Sequence, residues 1–256
     1  ERWAKAHKRP STITRERIFW KQFVEYTGIK SLSDITRGRI ERFKSGMLEN
    51  RLSKGTINNA LRTLQALVNH AKKLNLYEGE NAFAEVERFR LSNGVPRFLS
   101  PEQINALIQA AREDSRDALF YFALGIYAGL RKAEIDACRW EWIDLDKKTI
   151  TLRSDDTFTL KDRDVRTVPM CNQLINILKP HRQETGYVIR PDKEPGQWQY
   201  RFASRKMFSR VVREAGLEWV TPHVLRHTFA STLASRNVSI FKIQQWLGHS
   251  SAVSYT

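Results

Sequence analysis

Cysteine is nearly absent from this chain. Of 256 residues only Cys138 and Cys171 carry a thiol, and neither sits in a Cys-x-x-Cys pair. That excludes a disulfide framework and a zinc–cysteine knuckle, and it suits a reduced, cytoplasmic setting. Long apolar runs are missing too, so a membrane-spanning helix is not expected, and no signal-peptide pattern opens the chain. There is no internal repeat and no low-complexity tract. Acidic residues are the scarcer charge: 28 Asp and Glu stand against 43 Lys and Arg, a formal charge of +15. What remains is globular material, 41% apolar and 11% aromatic, long enough for one large domain or two ordinary ones.

The excess of positive charge is spread along the chain. Residues 1–95 hold 19 basic and 10 acidic side chains, and residues 96–256 hold 24 and 18. A single solvated basic arm does not explain that distribution, whereas a polyanion touching both halves does. The first half reads as all-helical. Apolar residues recur at helical spacing over 12–27, 36–50 and from Ser53 to about Leu74, where the stripe is Ile57, Leu61, Leu64, Leu67 or Val68, Ala71 and Leu74. The opposite face of that third helix offers Asn58, Asn59, Arg62 and Thr63, either a solvated face or a groove reader. A short helix is expected near 82–89.

The period is lost over 89–99, which contains Asn93-Gly94 and Pro96, so the linker is set at 93–99 between a unit of residues 1–92 and a second of 100–256. Ser100-Pro-Glu-Gln103 is a capped helix start. Helices are expected at 101–113 and 115–128, the second stopped by Gly129. A β region follows, with strands at 148–152, 157–160 and 165–169 and a hairpin turn at 161–164. Helices resume at 171–182, 200–214, 222–235 and 239–247.

Several side chains in this second unit suit a phosphodiester. His223 and Arg226 are three apart on one predicted helix and share a face, and His249 lies just past another. An arginine fork grips two phosphate oxygens, and histidine moves a proton near neutral pH. Arg131 follows the Gly129 stop, with Glu134 three residues on to hold its guanidinium. Lys161 in the hairpin turn can deliver a proton to a leaving alkoxide, with Arg163 and Arg166 as rivals. Tyr255 is the only tyrosine after Tyr200, and a phenol can attack phosphorus when arginines stabilise its anion. Taken singly, these residues are also the marks of a surface ion pair, a solvated turn and a frayed terminal aromatic. His223 and His227, four apart, have the spacing of a zinc pair, but position 224 is Val where a metalloprotease needs Glu.

The motifs taken together resemble the tyrosine recombinases, or phage-type integrases. The matching stretches are Ala128-Gly-Leu-Arg-Lys-Ala-Glu-Ile135, Lys161 eight residues before Pro169 in a segment ending Arg166-Thr-Val-Pro169, His223-Val-Leu-Arg-His-Thr-Phe-Ala-Ser231, and Gln244-Gln-Trp-Leu-Gly-His-Ser-Ser251. The resemblance covers nearly the whole chain. It implies a mainly α fold with a small antiparallel β-sheet: a helical core-type DNA-binding domain at 1–92 and an α+β catalytic domain at 100–256.

It further implies Arg131, Lys161, His223, Arg226, His249 and Tyr255 as catalytic residues with Glu134 in support. The implied activity is site-specific DNA cleavage and rejoining through a 3′-phosphotyrosyl bond, with no metal and no cofactor. The implied partners are double-stranded DNA carrying recombination sites and three further copies of the chain in a homotetramer, with no membrane. Lys54, Asn58, Arg62 and Arg163 are the expected DNA contacts. Other readings are a type IB topoisomerase-like relaxing enzyme, a catalytically inactive DNA-binding relative, and a metal-dependent nuclease. The family places its tyrosine nine residues after the second histidine, and Tyr255 is six after His249. Either a few residues are missing near 253–254 or the nucleophile lies past position 256. The family continues past its tyrosine with a further helix, so a truncated C-terminus is expected, and the start at Glu1 without methionine leaves room for a lost N-terminal arm domain.

Overall fold

The computed structural model describes residues 6–8, 10–91, 94, 96–155, 158–160, 165–190 and 200–248, the side chains of 200–203 excepted. The chain divides into two compact units, Glu1–Gly94 and Val95–Thr256. It is mainly helical, with one three-stranded antiparallel sheet.

The first unit is built on α1 (Pro10–Thr27), α2 (Arg37–Glu49) and α3 (Lys54–Lys73). Ser53 starts α3 by accepting a hydrogen bond from the Thr56 amide at 3.1 Å, which satisfies one of the otherwise orphaned first-turn donors. The apolar stripes of the three helices meet around Phe23, Phe43, Met47, Ile57 and Leu64. The rings of Phe23 and Phe43 pack edge-on, 5.2 Å between centroids. Of the two residues open for the α3 stripe, Val68 is the buried one.

The helix expected over 82–89 is only a single 3₁₀ turn, Ala82–Ala84. Asn81 accepts from the Phe83 amide at 3.2 Å and closes that turn. Beyond it the chain runs as a strap, with Phe83 and Val86 buried as its anchors.

In the second unit, α4 (Pro101–Asp114) opens with the reciprocal cap foreseen for Ser100 and Gln103. Their side chains each accept from the other's backbone amide, at 3.3 and 3.0 Å. The helix that follows, α5 (Arg116–Ala128), is apolar on nearly every side and is buried accordingly. It packs against α4, α7 (Asn172–Leu178) and α9 (Pro222–Ser235). Between α5 and α7 come the short α6 (Lys132–Asp136) and the sheet β1 (Ile143–Asp144), β2 (Thr149–Leu152) and β3 (Arg166–Pro169), in that spatial order. Strands β2 and β3 pair from Thr149↔Pro169 to Leu152↔Arg166. Helices α8 (Tyr200–Glu214) and α10 (Ile240–Leu247) complete the element order.

Residues 158–160 do not form the expected strand. Asp155 and Phe158 close a tight turn through their backbones at 2.8 Å, and the Leu160 amide donates to Ser154 Oγ at 3.0 Å. Leu160 is thereby drawn into the core instead of pairing in the sheet. The turn 161–164 lies outside the described residues. Leu99, the last residue of the expected linker, is buried, and its amide donates to Thr228 Oγ1 on α9 at 3.0 Å. Among the described residues no helix is long and apolar enough to cross a membrane.

Candidate active site

The local chemistry of Gly129 shapes the entry to the site. It ends α5 in the left-handed region at φ 62°, where a side chain is strained, and a Cβ there would run into the Phe229 ring. This turn leaves the Gly129 carbonyl accepting from Arg226 Nη1 at 2.7 Å. Two residues later Arg131 caps the short α6, and its own amide donates to Glu134 Oε2 at 2.7 Å. Its Nη1 donates to Glu134 Oε1 at 3.0 Å.

Glu134 is the hub. It is 1% exposed, yet it carries a full carboxylate among three guanidinium groups. Besides Arg131, Arg166 Nη2 donates to its Oε2 at 2.6 Å, and Arg226 Nη1 stands 3.9 Å from the same oxygen. Burial pushes the carboxyl pKa up. The Arg166 hydrogen bond and charge, with the Arg131 amide and guanidinium, outweigh that and hold it below the usual carboxylate range. Three cations around one anion leave a formal excess of two positive charges in a largely desolvated place, which suits a bound anion.

The same three arginines also seal the end of α10. The last carbonyls of a helix have no partner within it and lie at the negative end of its dipole. Here Arg166 Nε donates to Trp246 O at 2.8 Å, Arg226 Nη2 to Leu247 O, and Arg131 Nη2 to Gly248 O at 2.7 Å. Three consecutive carbonyls are thus capped by cations from three distant segments of the chain. Gly248 ends this helix in the left-handed region at φ 64°.

Residues 97–255 match the pattern of the Phage integrase family. The chain belongs to this family. Among its relatives, the tyrosine recombinase XerA of Thermococcus kodakarensis is 27% identical over 252 residues, spanning 95% of this chain and 82% of that protein. Two solved structures share the fold. The Tn1549 transposon integrase in complex with transposon right end DNA has a TM-score of 0.76 at 19% identity, covering 96% of this chain and 88% of that one. A lambda integrase tetramer bound to a Holliday junction has a TM-score of 0.73 at 16% identity, covering 99% and 76%.

Within this phage integrase fold, Arg131, Glu134 and Arg226 are brought together from two separate stretches. His223 is exposed in the first turn of α9, the helix that carries Arg226, and Thr221 caps that helix through its hydroxyl at 3.4 Å from the Val224 amide. His227 is half-buried on the same helix. Burial, then the charges of His223 and Arg226, hold its imidazole pKa below the usual histidine range. Lys161, Arg163, His249 and Tyr255 lie outside the described residues. Among the described residues no group of three or more His, Cys, Asp or Glu side chains is placed to hold a metal ion.

Two residues depart from expectation. Asn58 is not on the exposed face of α3. It is buried, and its amide donates to Phe89 O at 2.8 Å while its Oδ1 accepts from Phe89 N at 2.9 Å. Both ends of the side chain are engaged in holding the 85–91 strap, and the residue is buried at 5% exposure. Lys54 and Arg62 are exposed, and the Lys54 ammonium lies 5.8 Å from the centre of the Phe89 ring.

The second is Arg166, expected only as a rival cation of the hairpin turn. It is 8% exposed and points inward. The signal was present in the alternation of β3, where Val168 is the obvious inward residue and period two puts Arg166 on the same side.

Proposed function

We propose that this chain is a metal-independent, site-specific DNA recombinase whose units divide recognition and chemistry. The carrying observation is the convergence of Arg131 and Arg226 on one buried carboxylate and on the last carbonyls of α10. In this reading Tyr255 Oη attacks the scissile phosphorus, a 3′-phosphotyrosyl bond forms and the bond from phosphorus to the 5′ oxygen breaks. Arg131 and Arg226 stabilise the charge that builds on the non-bridging oxygens, and His249 donates to the same oxygens. Lys161 protonates the departing 5′ oxygen, and His223 takes the tyrosine proton. A 5′ hydroxyl from a partner duplex then reverses the step. Bond energy is conserved in the phosphotyrosine, so no cofactor is required.

Residues 1–92 act as the helical DNA-gripping unit, with Lys54 and Arg62 on its exposed surface, and 100–256 act as the catalytic unit, with Arg163 beside Lys161. The partners are double-stranded DNA with recombination sites and three further copies of the chain, as in the lambda integrase tetramer on its junction. The place of action is the cytoplasm.

The test uses a duplex selected by binding from a random-sequence pool. Wild-type protein forms a covalent adduct that survives a denaturing gel and excess EDTA, and Tyr255→Phe forms none. An adduct that persists in Tyr255→Phe shows that another tyrosine attacks. Absence of any adduct from the wild type points to an inactive DNA-binding relative, and plasmid relaxation without recombination points to a topoisomerase.

A further inference from the structure

The proposed reaction asks Arg131 and Arg226 to hold a phosphate while a buried carboxylate lies between them. A carboxylate in that place competes for the same donors. Its Oε2 receives the Arg131 amide at 2.7 Å and Arg166 Nη2 at 2.6 Å, whereas Arg226 Nη1 stands 3.9 Å off, beyond hydrogen-bond reach. Arg166 is the only one of the three guanidinium groups that comes from the sheet, and its Nε simultaneously holds the Trp246 carbonyl at the end of α10. We propose that Arg166 is a positioning residue: it satisfies Glu134 from the sheet side and ties that carboxylate to the end of α10, so that Glu134 does not draw Arg226 away from the phosphate. The inference rests on the recombinase reading above.

The physical argument is one of competition. Without Arg166, Oε2 loses its shortest partner in a site that water reaches poorly. A buried anion so deprived either recruits the nearest cation or takes up a proton. Arg131 is already bonded to this carboxylate at 3.0 Å, so the nearest cation not yet hydrogen-bonded to it is Arg226. Closing a gap of 3.9 Å to hydrogen-bond length would rotate its fork toward Glu134, and freeing the Trp246 carbonyl would loosen the helix end that leads to His249. Packing agrees with a close fit here, since a Cβ on Gly248 would lie 3.1 Å from both Cδ and Nη1 of Arg166.

The experiment compares the intact wild-type chain with Arg166→Met, Glu134→Gln and the double variant, using the pool-selected duplex. Arg166→Met is expected to bind that duplex normally but to form the covalent adduct more slowly, by on the order of 100-fold, the usual effect of disturbing a transition-state donor. Removing the competing charge should restore part of the rate. The double variant is therefore expected to be faster than Arg166→Met by about tenfold, a partial recovery of that donor effect. Losses that multiply, or a wild-type rate in Arg166→Met, overturn the proposal. Should Arg166→Met fail to fold, Arg166→Lys carries the test. It keeps the charge but loses the fork, and is expected to slow cleavage at unchanged affinity; an unchanged rate overturns the proposal.

A second readout does not need cleavage, so a wild type that cuts nothing sinks the recombinase reading without silencing this test. Among the described residues, the groups facing Glu134 are Arg131, Arg166, Arg226 and the buried Cys138 thiol, whose pKa is pushed up to about 12 by burial and then by the Glu134 charge. Because the Glu134 pKa is depressed on folding, it adds stability that is lost as pH falls through its folded value. That acid-side loss, taken as the difference from the matching Glu134→Gln protein, should shrink when Arg166 is Met. An equal loss in both backgrounds overturns the assignment.

Discussion

Asn58→Ala separates a strap from a base reader. Asn58 makes two hydrogen bonds, one to each polar group of the Phe89 backbone, and its own side chain is buried. Each bond contributes about 1 kcal/mol net, and the cost rises where the abandoned partner stays dry. Phe89 is half-buried, so water replaces part of what is lost, and a total of about 2 kcal/mol follows. For a unit of under a hundred residues that corresponds to a drop of roughly 8–16 °C in its melting temperature.

The assay is hydrogen exchange by NMR or mass spectrometry on the intact chain, read at the Phe89 amide, together with thermal melting. The Phe89 amide should lose its protection in Asn58→Ala. DNA affinity should fall equally for all sequences, because the Lys54 ammonium, proposed to grip DNA and 5.8 Å from the centre of the Phe89 ring, loses its support. Unchanged melting and unchanged Phe89 protection, with a preference altered at one base pair, would refute the strap and restore the groove reader. An asparagine on a base edge contributes about 1–3 kcal/mol of discrimination at a single position, which is easily distinguished from a uniform loss.

Gly129→Ala should lower the melting temperature of the second unit by roughly 10 °C, since the left-handed backbone costs about 1–2 kcal/mol and the forced contact with Phe229 a similar amount. Adduct formation should weaken with it, because the Gly129 carbonyl holds Arg226; a melting temperature within about 2 °C of wild type would contradict this account. His227 titrates below the ordinary histidine range when folded, so the unfolded chain takes up its proton first as pH falls. Stability should therefore decline from about pH 6.5 downward, and His227→Asn should flatten that decline in a series of melts; a profile identical to wild type rejects it.

Legibility in the sequence followed the strength of local signals. Ser100-Pro-Glu-Gln103 and the Gly129 stop were readable because caps and left-handed turns depend on residues next to one another. The helix Pro222–Ser235 is readable from periodicity, so the sequence alone places His223 and Arg226 on one helix. Glu134 as a partner of Arg131 followed from spacing alone. Its second partner, Arg166, did not, because a charge on a four-residue strand carries no sign of facing inward unless the parity with Val168 is used. Asn58 was misplaced for the related reason that it borders the stripe beside Ile57, where long-range hydrogen bonding decides which way the side chain turns. The expected helix at 82–89 failed because Asn81 closes a tight turn and the strap is held by another helix.

The hydrogen bond from Leu99 to Thr228 has an engineering consequence. It docks the start of the second unit onto the helix of Arg226, two residues beyond it, whatever is attached upstream. A foreign DNA-recognition module fused before Leu99 would leave this bond, and with it the footing of the helix that carries Arg226, untouched.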